Sequence, residues 1–261
     1  EQDLVLFHTG HTTLPMDEVV GIPVETSLEM ALKHHPDAVV VSNPTALHLD
    51  VAIPAAQMGC HILLEKPVSG SLDQVDLFRD AVKRSGSRVL VGFQYRFHPG
   101  LIQARKWIWE EKVGRPISFR CEWGEYLPGW HPWEDYRRGY SSRADLGGGV
   151  VLTLCHPLDY LRTFFGEVKG LIGQTGRISD LEIEVEDHAE ILLDYANGIK
   201  GSLHLDYYRR IPIHRLEITC TGGQVTWDNS DGTARYLPAG LSDWTVVHPP
   251  AGFERNNLFL A

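Results

Sequence analysis

The stretch His61-Ile62-Leu63-Leu64-Glu65-Lys66-Pro67 decides how the chain is read. A short apolar run suited to a buried parallel strand ends abruptly in a carboxylate, an amine and a proline. In an open α/β sheet, ligands bind in the crevice beyond the carboxyl ends of the strands. A lysine there, with a proline fixing the turn after it, is placed to touch whatever occupies the crevice. Taken alone, the same residues also read as a solvated lysine at a strand end, so the flanking sequence must decide. Upstream, Asp37–Ser42 is an unbroken β-branched run, and Leu47–Met58 has helical periodicity with Ala55 and Ala56 on its packing face. Downstream, Ser71–Ser85 reads as an amphipathic helix, with Ser71 and Gln74 spaced for a capping box, and Arg88–Gln94 as a further strand. Asp3–Phe7 supplies a first short strand. Short, wholly apolar strands alternating with helices indicate βαβ units and a parallel sheet.

After Phe97 the pattern changes. A helix over Leu101–Val113 leads into a strand over Ile117–Tyr126, an aromatic loop, and a helix opened by Gly147-Gly148-Gly149. Beyond residue 165 strand follows strand: Val168–Ile178, Asp187–Tyr195, Ile199–Tyr207, His214–Thr221 and Gln224–Asp228. Asn197-Gly198 and Gly222-Gly223 sit where tight hairpin turns belong. The expected fold is an α/β Rossmann-type domain over residues 1–97, then an α+β domain over 98–261 with a large, mostly antiparallel sheet. The G-x-G-x-x-G turn of a dinucleotide-binding unit is missing. Gly10 stands alone before His11-Thr12-Thr13, and the first strand reads as the second of a Rossmann unit. Phe259-Leu260-Ala261 stops as a helical pattern begins, so the first domain is expected to be incomplete at its start and the second at its end.

With 261 residues, 43% hydrophobic and 22% charged, the composition is that of a globular protein able to bury a sizeable core. A net charge of −10 with no basic block argues against nucleic acid or an anionic membrane as partner, and leaves a small anionic substrate open. No apolar run approaches the roughly 20 residues that span a bilayer. Glu1-Gln2-Asp3 lacks the basic start of a signal peptide. Cys60, Cys121, Cys155 and Cys220 lie far apart, so buried, reduced thiols and a cytoplasmic setting are expected. His131, Glu134 and Asp135 are close in sequence but lie in a Pro/Trp-rich loop, and no metal is expected there.

Ser42-Asn43-Pro44-Thr45, with His48 one turn later, closes the second full strand. Asn43 and Thr45 are placed to cap the next helix, whose N-terminus would favour an anion; an ordinary N-cap is the alternative. Gln94-Tyr95-Arg96-Phe97-His98-Pro99 ends the following strand at the same sheet edge. In the second cluster, His156 and Asp159 are spaced i, i+3 on one helix face. Asp159 could therefore orient the imidazole, as a general-base histidine requires, whereas a lone histidine is otherwise structural. The three glycines before them let another group approach the backbone, and because they follow no strand they are not read as a phosphate loop. Between the clusters, the loop from Tyr126 to Arg138 gathers Trp130, His131 and Tyr136 with several cations. Such a loop suits a sugar-like or anionic substrate, or else a dimer contact or hydrophobic plug.

In order and spacing, Asn43-Pro44-Thr45 with His48, Glu65-Lys66-Pro67, and Gly147-Gly148-Gly149 followed by His156 and Asp159 resemble the glucose–fructose oxidoreductase / inositol dehydrogenase (Gfo/Idh/MocA) family. The match covers most of the chain. The run from Gly147 through His156 to Gly166 looks closest to a branch that often accompanies surface-polysaccharide or sialic-acid-type sugar pathways, an analogy of family only. The resemblance implies NAD or NADP in the N-terminal crevice and hydride exchange with a hydroxyl or keto carbon of a sugar, sugar nucleotide or cyclitol. Carried over by position, it makes Lys66 and His156 catalytic, with His156 the general acid/base. It sets Ser42, Asn43, Pro44, Thr45, His48, Glu65, Lys66 and Gln94 around the cofactor. Arg96, Tyr126, Trp130, His131, Tyr136 and Asp159 would face substrate, and the peptide before Pro67 would be cis.

Two departures stand out. Thr153 occupies a position where family members often carry an acid, so a proton relay would rest on Asp159 or Lys66. No acid follows the first strand, which ends in Phe7-His8-Thr9, so NAD and NADP are both open. A cofactor-assisted glycosidase and a non-catalytic sugar- or dinucleotide-sensing protein are alternative functions of the same fold. The exposed face of the large sheet needs cover, so a homodimer or homotetramer built through it is expected.

Overall fold

The computed structural model describes residues 3–9 and 21–253. Glu1-Gln2, the isolated Gly10 with His11-Thr12-Thr13, and Phe259-Leu260-Ala261 lie outside the described residues. The chain divides into two compact units, Glu1–Gly92 with His131–Gly148, and Phe93–Trp130 with Gly149–Ala261. The division drawn from sequence ran at 97/98; here the second unit opens at Phe93, and the segment His131–Gly148 joins the first. Tyr95 explains the earlier start, since its ring packs on Trp123 and Tyr160 of the second unit.

In the first unit, β1 (Leu6–Phe7) and β2 (Val24–Glu25) pair in parallel. β3 (Ala38–Val41), β4 (His61–Leu64) and β5 (Val89–Val91) form a second parallel sheet in that order. A doubly wound sheet has the order 3-2-1-4-5-6. The two groups match its 3-2 and 4-5-6 portions, in keeping with β1 as the second strand of such a unit. The helices are α1 (Leu28–Leu32), α2 (His48–Gln57) and α3 (Val75–Ser85). Leu49, Ala52, Ile53, Ala55, Ala56, Phe78 and Ala81 of α2 and α3 share one core with Val41, Ile62 and Leu64 of the strands. Strands apolar on both sides predict burial of both faces. The face opposite this core instead leaves Val40 66% and Leu90 51% exposed.

The capping box expected at Ser71 and Gln74 does not form. Gln74 takes a left-handed conformation (φ 61°) and makes no side-chain cap, so α3 begins at Val75. Ser71 Oγ bonds within its own turn, accepting from the Asp73 amide and donating to the Asp73 carboxylate.

The second unit is built on one eight-stranded sheet. Its strands are β6 (Pro116–Tyr126), β7 (Val168–Gly176), β8 (His188–Tyr195), β9 (Lys200–Asp206), β10 (Tyr208–Cys220), β11 (Gly223–Asp228), β12 (Ala234–Pro238) and β13 (Thr245–Val247). They lie in the order β13-β12-β11-β10-β6-β9-β8-β7, with β6 and β9 parallel and the remaining pairs antiparallel. The expected turn at Asn197-Gly198 joins β8 to β9; the one expected at Gly222-Gly223 falls one residue earlier, at Thr221-Gly222, because Gly223 already pairs with Cys220 as the first residue of β11. β12 and β13 were not foreseen, because both are short and neither carries a clear apolar alternation.

Along β6, Phe119, Cys121 and Trp123 turn to the core while Arg120 and Glu122 turn away. Three helices accompany the sheet: α4 (Pro99–Trp109), the short α5 (Val150–Thr153) and α6 (His156–Phe165). Phe165 of α6 stacks on Phe119 at 5.0 Å and meets Tyr195 at 5.4 Å. The other face is open, with Ile172 74% and Leu192 56% exposed. All four cysteines are free and buried, and burial pushes the Cys121 thiol up to about 12. Among the described residues no helix is long and apolar enough to cross a membrane.

Candidate active site

In the first unit, the ends of β3 and β4 are joined by one buried imidazole. His48 sets Nδ1 2.7 Å from the Pro67 carbonyl and Nε2 3.0 Å from the Asn43 carbonyl. Both ring nitrogens face backbone carbonyls, so His48 holds the two turns in place. The Lys66–Pro67 peptide is cis, as the resemblance implied. Glu65 lies over Gly92, next to β5: a Cβ built there would stand 3.0 Å from Glu65 Oε2.

Asn43 and Thr45 do not cap α2. Residues Thr45–Leu47 form a 3₁₀ turn without a side-chain cap, and Asn43 Nδ2 donates to the Leu47 carbonyl instead. Asn43 Oδ1 is buried and, among the described residues, has no hydrogen-bond partner. A buried acceptor left over at the carboxyl edge of a parallel sheet fits a ligand bearing hydroxyl or amide donors. Ser42 is exposed, whereas Thr45 is buried.

The three glycines admit close neighbours, as expected, and the neighbours belong to the protein. A Cβ on Gly147 (φ +76°) would lie 2.9 Å from the Ala46 amide and 3.0 Å from Thr45 Cβ. One on Gly148 would meet the Tyr140 carbonyl. Gly147 therefore seats His131–Gly148 on the Asn43–Thr45 turn, within the first unit. In the second unit, Gly149 (φ +107°) lies against the Glu186 carboxylate.

His156 opens α6 and is 4% exposed. Its imidazole is held by aromatic rings: Tyr95 at 4.9 Å, Phe93 edge-on at 5.9 Å, and Trp123 stacked at 5.8 Å. Behind it, His214 stacks flat on Trp123 at 4.1 Å, and the Tyr160 hydroxyl lies 3.1 Å from His214 Nε2 and 3.0 Å from Cys121 Sγ. Burial raises the Tyr160 hydroxyl pKa well above its ordinary value. The sequence reading missed Tyr95, Trp123 and His214. Tyr95 lay in the quoted motif at 94–99, but no sequence period marks which neighbour of Arg96 turns inward.

Asp159 was expected to orient His156. Both its oxygens are taken by Arg96, at 2.7 and 2.5 Å, in a bidentate pair that raises the Arg96 pKa. Arg96 and Asp159, both proposed for substrate, are therefore bound to each other. Gln94 lies in the 3₁₀ turn Gln94–Phe97 that follows β5.

The aromatic loop is split between the units. In the second, Arg210 sits 3.6 Å over the Tyr126 ring, and Trp130 meets Tyr207 edge-on at 5.4 Å. In the first, His131 pairs with Glu134 at 2.6 Å and stacks on Trp133, while Asp135 binds Arg137. The Tyr136 carbonyl accepts the Ser142 hydroxyl at 2.6 Å. Among the described residues, no group of three or more His, Cys, Asp or Glu could hold a metal ion.

Comparison with known proteins bears on this arrangement. The sequence model described as "Oxidoreductase family, NAD-binding Rossmann fold" matches residues 8–93, and the one described as "GFO/IDH/MocA C-terminal domain" matches residues 101–226. The chain is 28% identical over 209 residues to levoglucosan dehydrogenase of Pseudarthrobacter phenanthrenivorans, covering 70% of this chain and 53% of that protein. It is 30% identical over 232 residues to the uncharacterized oxidoreductase YrbE of Bacillus subtilis, covering 85% of this chain and 64% of that protein. It therefore spans between about half and two thirds of the length of these relatives. The crystal structure of an inositol dehydrogenase homolog from Azotobacter vinelandii complexed with NAD+ superposes with a TM-score of 0.77 at 17% identity, covering 88% of this chain and 64% of that one, which shows the shared fold. The paired domain models, matched in order along most of the chain, and the parallel sheet followed by a large mixed one lead to one conclusion: the chain belongs to the Gfo/Idh/MocA oxidoreductase family.

Proposed function

We propose that the chain forms the greater part of an NAD(P)-dependent dehydrogenase or reductase acting on a hydroxyl or keto carbon of a sugar, sugar nucleotide or cyclitol. The observation that carries this reading is the polar carboxyl edge of the parallel sheet, where the leftover buried acceptor Asn43 Oδ1 belongs to one of the two turns pinned by His48. Nicotinamide ribose and carboxamide groups offer the donors such an acceptor needs. The relatives support the substrate class, since one is named for an anhydrosugar and a structural neighbour for a cyclitol.

In this reading Ser42, Asn43, Pro44, Thr45, Glu65 and Gln94 hold the cofactor, and His48 keeps the Asn43 and Pro67 turns in register. A nicotinamide held there would supply the hydride chemistry. During oxidation His156 accepts the proton leaving the substrate hydroxyl and returns it in the reverse direction. Lys66 hydrogen-bonds the reacting oxygen and spreads the charge that develops there. The aromatic rings around His156 fix the plane of the imidazole. Arg96, locked to Asp159, and the residues Tyr126, Trp130, His131 and Tyr136 contribute to substrate selection. Thr153 cannot carry the negative charge of an acid, and Asp159 is taken by Arg96, so the proton relay rests on Lys66 together with His156.

Calorimetric titration of the protein with NAD+ and NADP+ tests the cofactor half of the proposal. Asn43→Ala weakens binding of the preferred nucleotide by roughly tenfold, about 1.4 kcal/mol. Equal affinity in the two proteins contradicts the role of Asn43, and no binding of either nucleotide contradicts the reading itself. A cytoplasmic setting and a homo-oligomer joined through the open sheet face belong to the same proposal.

A further inference from the structure

We infer that Tyr207 is a positioning residue for the segment carrying His156, acting through a buried hydrogen bond to the Gly149 carbonyl; this rests on the acid/base role proposed for His156. Tyr207 lies between β9 and β10 and is fully buried. Its hydroxyl donates to Gly149 O at 2.9 Å. Its own backbone is fixed on both sides, the amide donating to the Asp187 carbonyl and the carbonyl accepting the Leu127 amide. Asp206 secures the same corner by accepting the amides of Tyr208 and Arg209. The Trp130 and Tyr207 rings meet edge-on at 5.4 Å, so the Tyr207 ring is held from the side as well.

Gly149 needs such an anchor. A run of glycines is the most conformationally free stretch a chain can contain, and the four-residue α5 that follows is too short to hold itself. The Gly149 carbonyl accepts both the Tyr207 hydroxyl and the Thr153 amide, the first bond of α5. Glu186 closes the clamp from the other side. Its carbonyl accepts the Val150 amide at 3.0 Å, its Oε1 accepts the Val151 amide at 3.2 Å, and its carboxylate fills the space a Gly149 side chain would need. From this anchored point the chain runs through α5 and Cys155 directly to His156. An error of about 1 Å at a reacting group can cost roughly 100-fold in rate.

Tyr207→Phe keeps the ring and removes one oxygen. The expected result is a fall in kcat of about tenfold or more with the KM for cofactor unchanged, together with faster amide hydrogen exchange confined to residues 150–156. Glu186→Ala lowers kcat likewise, and Glu186→Gln, which keeps an oxygen for the Val151 amide, recovers most of the loss. Wild-type kcat in Tyr207→Phe, or unchanged exchange over 150–156, overturns the inference. Failure of the His156 reading shows separately, as retained turnover in His156→Ala, while the exchange measurement reports on the clamp regardless.

Discussion

An added methyl group at Gly149 would stand 2.4 Å from Glu186 Oε1 on a backbone with φ +107°. Gly149→Ala combines backbone strain with overpacking, and a destabilisation of about 2–3 kcal/mol is expected in urea unfolding. The same change at Gly198, where nothing lies within 4 Å of the added Cβ, leaves only the φ penalty and serves as the control. Close approach to the three glycines was legible in the sequence; which groups approach was not. Thr45 and Glu186 are far from them along the chain, and only the fold brings them up. The same limit explains Asp159. Its spacing from His156 put both on one helix face, yet a guanidinium offering two parallel donors outcompetes a single imidazole nitrogen for a carboxylate.

Across the open face of the second unit runs a chain of alternating charge over four strands. Glu190 on β8 meets His204 Nδ1 at 2.6 Å, and His204 Nε2 meets the fully buried Asp206 on β9 at 2.9 Å. Arg209 then bonds Asp206 at 3.0 Å and Glu122 of β6 at 2.7 Å, and Glu122 in turn holds Arg215 of β10 at 3.0 Å. Bonds to Asp206 and then Glu190 raise the His204 pKa above its ordinary 6.5, against the opposing effect of burial. The folded state therefore binds the proton more tightly than the unfolded one. The resulting stabilisation is complete below pH 6.5 and is lost as pH rises through the raised folded value. Thermal unfolding followed from about pH 6 to pH 9 should show a fall in Tm that His204→Gln flattens; an identical slope in both proteins contradicts the assignment. At this scale the sequence was informative. Apolar alternation revealed the strands from 116 to 228, and what the sequence reading missed were ends set by local geometry, such as the left-handed Gln74 before α3, and the short β2, α1, β12 and β13.

The whole molecule presents an apolar stretch on that same face, where Ile172 and Leu192 are neighbours across the β7–β8 register. If two copies join there, as proposed, Leu192→Arg shifts the protein to monomer in sedimentation with its fold retained; an unchanged mass contradicts that face as the interface. The two-domain plan could be read from the change of pattern after Phe97, but not the assignment of His131–Gly148 to the first unit, which depends on Gly147 seating against the Thr45 turn. The central claim is hydride transfer served by His156, and it is tested most directly by nicotinamide absorbance across a panel of sugars, sugar nucleotides and cyclitols, with the wild type and His156→Ala side by side. Turnover is predicted in the wild type and a fall of about 10²- to 10⁴-fold in the variant with cofactor affinity nearly unchanged; equal turnover in the two proteins would contradict it.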